Sequence, residues 1–179
     1  MPGSSIPTVR KVPNRSRIAV EVANRQRRRV DRKLIARAVR KTLAERGWRG
    51  GTISVAVVDA EQMRRLNLQY LQHDEPTDAL SFATSRDPRR GHLEGELIVC
   101  ADVAAEAAAG QAWTWGAELV LYVVHAALHL DGYNDRTAGQ RRRMQAAERR
   151  VLAALGLNVV PGELPAPKSS RYKPRRGRR

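Results

Sequence analysis

The chain has 179 residues, enough for one ordinary domain plus tails, and 42 % of them are hydrophobic, so a sizeable core is possible. Aromatics are only 4 %, which predicts an aliphatic, alanine-rich core and argues against a stacking platform for single-stranded nucleic acid. A single cysteine, Cys100, excludes an internal disulfide and fits a reducing compartment. The net charge of +15 is unevenly spread: residues 1–49 hold 15 Lys/Arg against 3 Asp/Glu, and residues 168–179 hold 7 basic residues and no acid. The stretch 50–167 has 11 basic and 15 acidic residues, so the centre reads as mildly acidic between basic ends. Such ends suit a polyanion, whose counterions are released on contact. Nucleic acid fits better than a membrane surface, because no lipidation motif or basic amphipathic helix with bulky anchors is present, and tails that merely aid solubility are the alternative.

Residues 1–16, rich in Pro, Ser and basic side chains, predict a disordered basic arm. No apolar secretory core is visible there. "RIAVEVA" (17–23) alternates as a strand does, and an arginine cluster at 25–29 precedes a helix from Asp31 to Gly47, with Leu34, Ile35, Ala38, Val39 and Leu43 at helical spacing. "TISVAVV" (52–58) is a second strand. Asp59 and Gln62, at capping-box spacing, open a helix to about Tyr70. Pro76 ends any helix, Thr77 and Asp78 supply turn chemistry, and "ALSFA" reads as a short third strand. A polar loop with Pro88 and Gly91 leads to a fourth strand, "GELIVCA", and then a short helix with Asp102 as the expected N-cap.

From Ala117 to Leu130 apolar residues occupy every face, marking a buried central helix that Gly132 can break. Its run "LVLYVVHAALHL" is 12 residues, too short for a bilayer, which takes roughly 20. A last amphipathic helix opens at Thr137 and Gln140, with Met144, Ala147, Val151 and Leu155 as its inner stripe. The expected architecture is one α+β domain over 17–160 with four strands and about five helices, followed by a disordered basic tail over 161–179. The chain is expected to be soluble and cytoplasmic, and no feature indicates an oligomeric state.

Within "HAALHLDGYND" (125–135), His125 and His129 project from one helix face, and the break after Leu130 lets Asp135 fold back to the same side. This spacing suits a tetrahedral ion, and burial favours the neutral imidazoles that ligation needs. Core histidines with satisfied hydrogen bonds, and an aspartate that merely caps the break, are the alternative reading. Ala126 stands where an H-E-x-x-H protease keeps its glutamate base, which argues against a protease.

Several ordered blocks resemble the YbeY family of bacterial endoribonucleases. "HAALHLDGYND" is similar to the family's H-G-x-L-H-L-x-G-Y-D-H signature, and "LNLQYLQHDEPTDALSFA" (66–83) resembles its L-N-x-x-Y-R-x-x-D-x-P-T-D-V-L-S-F block. "GELIV" resembles a G-D-I-x-I strand, and Met144 with Glu148 fits the helix after the metal motif, so the similarity covers about residues 17 to 157. The resemblance implies an α+β fold with a small mixed four-stranded sheet, surrounding helices and a zincin-like site. It further implies one zinc ion, and single-stranded RNA as substrate, notably the 3′ end of 16S ribosomal RNA in the small ribosomal subunit. Carried over by position, the ligands are His125, His129 and Asp135, the last replacing a histidine. The family's arginine falls on Leu71, which cannot hold a phosphate, so Arg64, Arg65 or an arm arginine would have to substitute. His73 is the candidate proton shuttle, with a solvated loop histidine as the alternative; Ser81 is a second catalytic candidate, and Thr77 and Asp78 are candidate shapers of the RNA cleft, with turn and capping roles competing for these three. The rival to a nuclease is a non-catalytic RNA-binding ribosome-assembly factor with a structural metal.

Overall fold

Alternating burial along the strands shows how the sheet is clothed. The computed structural model describes residues 17–157, and the arm over 1–16 and the tail over 161–179 lie outside them. The elements run β1 (Ala19–Asn24), α1 (Arg32–Glu45), β2 (Thr52–Val58), α2 (Ala60–Leu71), β3 (Ala79–Asp87), β4 (His92–Cys100), α3 (Ala101–Ala108), α4 (Trp115–Asp131) and α5 (Ala138–Ala154). The sheet order is β1-β2-β4-β3; β1, β2 and β4 are parallel, and β3 pairs antiparallel with β4 at the edge. This is the mixed four-stranded α+β domain with five helices that the sequence predicts.

Successive strand side chains face opposite sides of a sheet. Ile53, Val55 and Val57 of β2 and Leu97 and Val99 of β4 therefore enter one core with α1, α4 and α5. Val58, Leu80 and Cys100 meet Ala60 and Met63 of α2 in a smaller core. At Gly95 a side chain is excluded, since a Cβ would meet the Phe82 carbonyl oxygen at 2.6 Å and Leu130 Cδ1 at 2.8 Å. That missing methyl lets α4 lie close to the sheet one residue beyond His129.

Three local expectations are corrected. β3 runs on to Asp87, through residues expected to be loop, because Ser85, Arg86 and Asp87 pair with Glu94, Leu93 and His92 across a tight turn. Those residues are polar, and Ser85 and Arg86 are exposed, so hairpin pairing rather than periodicity makes them a strand. Asp102 is no N-cap: Cys100 holds that position without a side-chain bond, and the Asp102 carboxylate accepts from the Ala60 N–H at 3.0 Å, tying α3 to the start of α2. At α2 only half of a capping box forms. Asp59 accepts from the Gln62 N–H at 2.8 Å, while the Gln62 amide donates to the Arg25 carbonyl. The box at Thr137 and Gln140 is complete.

Candidate metal site

α4 carries the site. Thr114 caps its start, and Gly132 ends it in the left-handed region at φ 101°, where the Gly132 and Tyr133 N–H groups donate to the carbonyls of His129 and Leu128. The turn sends the chain back over the helix end. Arg86 of β3 packs against Gly132 and donates to the Asp131 carbonyl, which secures that turn from behind.

Each imidazole is oriented through its Nδ1. His125 Nδ1 donates to Glu148 Oε1 of α5 at 2.7 Å, and His129 Nδ1 donates to the Tyr133 carbonyl at 2.9 Å. Both Nε2 atoms are thereby turned toward one point, 3.1 Å apart. Asp135 Oδ2 stands 4.0 Å from His129 Nε2, and donor atoms of the three residues lie within 4.8 Å of one another. Two nitrogens bound at about 2.0–2.1 Å to a tetrahedral zinc stand about 3.4 Å apart, close to this spacing. Two bare lone pairs so near repel, so a cation belongs between them, either a proton or a metal ion. His125, His129 and Asp135 can hold a metal ion, and their donor set, two neutral nitrogens and a carboxylate, fits a borderline-soft divalent metal.

The electrostatics favour a cation between the two rings. Burial and the neighbouring His125 hold the His129 imidazole below its ordinary pKa, so it is neutral at neutral pH. Burial also pulls His125 down, but the Glu148 hydrogen bond and the charges of Glu148, Asp78 and Asp135 outweigh it and raise the imidazole. Acidic groups thus surround the histidines from α5, from the loop before β3 and from the loop after α4.

The other candidates are distributed unevenly. Asp78 lies near enough to bear electrostatically on both histidines. Its carboxylate accepts from the Thr77 hydroxyl at 2.9 Å and from the Ala79 N–H at 2.8 Å, the turn role that competed with cleft shaping. Ser81 sits mid-strand on β3, opposite Leu97. His73 is exposed in the loop after α2, its backbone N–H reaching the Asn67 carbonyl. Arg64 forms a paired bond to Asp74 at 2.7 and 3.1 Å, and Arg65 bonds Glu61 at 3.1 Å, so each substitute for the family arginine already has an acidic neighbour. Leu71 is 53 % exposed at the end of α2.

One acid of the site escaped sequence reasoning as a functional residue, and a second buried acid lies elsewhere on α4. Glu148 orients His125 and is buried; its signal was an acid on the inner stripe of α5 beside Met144, Ala147 and Val151. Glu118 lies on the same α4 face as Tyr122, His125 and His129, fully buried. Its oxygens approach Tyr122 and Trp113 without a well-formed hydrogen bond, and burial raises its carboxyl above the usual range.

Fold and site together define a small mixed α+β domain whose central helix and following loop carry a His-His-Asp group that could hold a metal ion. Residues 17–156 match the family model described as endoribonuclease YbeY. Among proteins named endoribonuclease YbeY, that of Halorhodospira halophila is 42 % identical over 113 residues, covering 61 % of this chain and 73 % of its own. That of Chlorobium luteolum is 35 % identical over 136 residues, covering 76 % and 97 %. The fold is also similar to a solution structure from Thermotoga maritima, with a TM-score of 0.51 at 22 % identity, covering 82 % of this chain and 99 % of that one. The chain belongs to the endoribonuclease YbeY family. Among the described residues, no helix is long and apolar enough to cross a membrane.

Proposed function

We infer that this chain is a zinc-dependent endoribonuclease that cleaves single-stranded RNA during ribosomal RNA processing. Its expected target is the 3′ end of 16S ribosomal RNA, met in the cytoplasm on the small ribosomal subunit. One observation carries the reading: two imidazoles, each held through Nδ1 by an acceptor oxygen, aim their Nε2 atoms at one point beside Asp135. Family membership supplies the substrate class.

His125, His129 and Asp135 are the assigned ligands of one ion, which when bound supplies Lewis acidity toward a phosphodiester. Glu148 and the Tyr133 carbonyl position the two imidazoles. Three protein ligands leave a coordination position for substrate, whereas a structural zinc takes four. That favours catalysis over the assembly-factor reading. His73, exposed on its loop, is assigned the proton shuttle, with Ser81, Thr77 and Asp78 forming the β3 side of the cleft. Arg64 and Arg65 lie on the α2 side, where release from Asp74 or Glu61 would free a guanidinium for phosphate. The basic segments 1–16 and 161–179 are assigned to the RNA backbone on composition and charge.

The test is metal content together with cleavage of single-stranded RNA, on the native chain and on His129→Ala prepared in parallel without chelator. Stoichiometric zinc and cleavage lost together in the variant are expected. Zinc and RNA binding without cleavage in the native chain would establish the assembly-factor reading instead. A native chain without bound metal would overturn the site assignment.

A further inference from the structure

α5 and the loop before it are basic in a way that the metal site does not use. Residues 136–150 hold six arginines against one acid, and that acid, Glu148, is buried against His125. Arg141 donates to the carbonyls of Asp135 and Arg136 and so steadies the loop that carries the third ligand. Arg150 bonds Glu45 at 3.2 Å. Arg142 and Arg143 are exposed and form no ion pair among the described residues.

Arg143 opens onto a cleft of about 550 Å³ between the end of α1, the loop after α4 and α5. Its walls include Arg46, Tyr133, Asn134, Arg143 and Arg150, with Asp131 the one acid among them. Asp131 is already engaged, taking Arg46 and the Trp48 indole at 2.6 Å each. The Arg46 guanidinium lies over the Tyr133 ring at 5.0 Å. The volume suits a nucleotide-sized group, since small-ligand sites run from about 300 to 1,000 Å³. Its lining offers guanidinium forks for phosphate oxygens.

Tyr133 joins this cleft to the metal site. Its carbonyl holds His129 Nδ1 while its side chain lines the cleft, so the cleft lies on the reverse of the loop that bears Asp135. We propose that the cleft between α1 and α5, with Arg143 as its uncommitted cation, is a phosphate subsite for the RNA strand that runs past the metal site. The proposal rests on the endoribonuclease reading for its ligand class. The α5 arginines continue the strand's path outward from Arg143.

The experiment uses the full chain and measures binding of labelled single-stranded RNA, short and long, across a salt series. The proteins compared are native, Arg143→Ala, Arg143→Glu and Lys33→Glu. Lys33 lies in the first turn of α1, exposed, about 20 Å along the helix from Arg46, and its variant makes the same charge change. Among the described residues Arg143 has no hydrogen-bond partner to lose, so folding should be intact, and unchanged metal content checks this. Arg143→Glu is expected to weaken binding of the long RNA roughly tenfold and to lower the salt slope by about one, with little effect on the short RNA. KM for the long substrate should rise with kcat kept. Equal losses in Lys33→Glu and Arg143→Glu would reduce the effect to net charge and overturn the subsite. So would unchanged RNA binding in Arg143→Glu, the result expected if the cleft takes an acidic protein segment. Adenosine monophosphate binding as tightly as the long RNA would mark a free-nucleotide site and likewise overturn a strand path. A native chain that binds RNA but cannot cleave it defeats the endoribonuclease reading and leaves the subsite measurable.

Discussion

Glu148 Oε1 accepts a 2.7 Å hydrogen bond from Nδ1 of His125, joining two helices through a pair of side chains 23 residues apart. The carboxylate is buried, so it is a strong acceptor that fixes the ring and its tautomer together. The metal-facing Nε2 of His125 is thus presented by α5 as much as by α4.

Removing that acceptor should loosen the metal. Glu148→Ala is expected to lower zinc affinity by about 10- to 100-fold, the usual effect of losing a partner behind a ligand. Glu148→Gln, whose amide oxygen still accepts from Nδ1, should lose less. Competition against a chromophoric chelator measures both, and equal affinity in the native chain and Glu148→Ala would remove the orienting role.

Asp131 ties the end of α4 to α1 and to the segment that follows it. Its carboxylate takes Arg46 Nε and Trp48 Nε1 at 2.6 Å each while only 6 % of the side chain is exposed. Asp131→Ala leaves a buried indole N–H without an acceptor, which costs about 1–3 kcal/mol. Asp131→Asn keeps an oxygen for Trp48 and should lose less. Urea unfolding of the three proteins should rank native, Asn, Ala, with the slope unchanged; an Ala variant as stable as native would show that the network adds nothing.

Cys100 is fully buried between β4 and α3, and burial pushes its thiol up to about 11. Above the ordinary thiol range the unfolded chain ionises while the folded chain keeps its proton. The contribution to stability is therefore whole below about pH 8.5 and is lost as pH rises toward 11, at about 1.4 kcal/mol per unit. Alkaline unfolding of the native chain and Cys100→Ala should diverge in slope between pH 9 and 11. At pH 8 the native thiol should resist iodoacetamide until the chain is unfolded. Rapid alkylation of the folded chain would contradict the burial.

The sequence by itself determined what neighbouring residues decide: the helix through His125 and His129, its stop at Gly132, the capping box at Thr137 and the strands read at 17–23 and 52–58, observed as Ala19–Asn24 and Thr52–Val58. Those features follow from periods of two and of 3.6 residues, and from bonds that close within about five positions. The spacing at 125–135 also gave Asp135 as the third member of the group, because the loop that returns it is short, and the resemblance placed it where the family has a histidine.

Only the tertiary structure decided the contacts whose partners lie far along the chain. Glu148 behind His125, Asp131 between Arg46 and Trp48, and Asp102 at the start of α2 all depend on how helices are placed against one another, which no local pattern encodes. The extension of β3 to Asp87 is of the same kind: exposed polar residues become strand when a hairpin partner satisfies their backbone groups. The charge balance of 50–167 likewise hid a basic surface, since a sum over a segment is blind to which side chains one helix face gathers. In α5 the acid points inward to His125 and the arginines outward, a separation that exists only once the helix has docked.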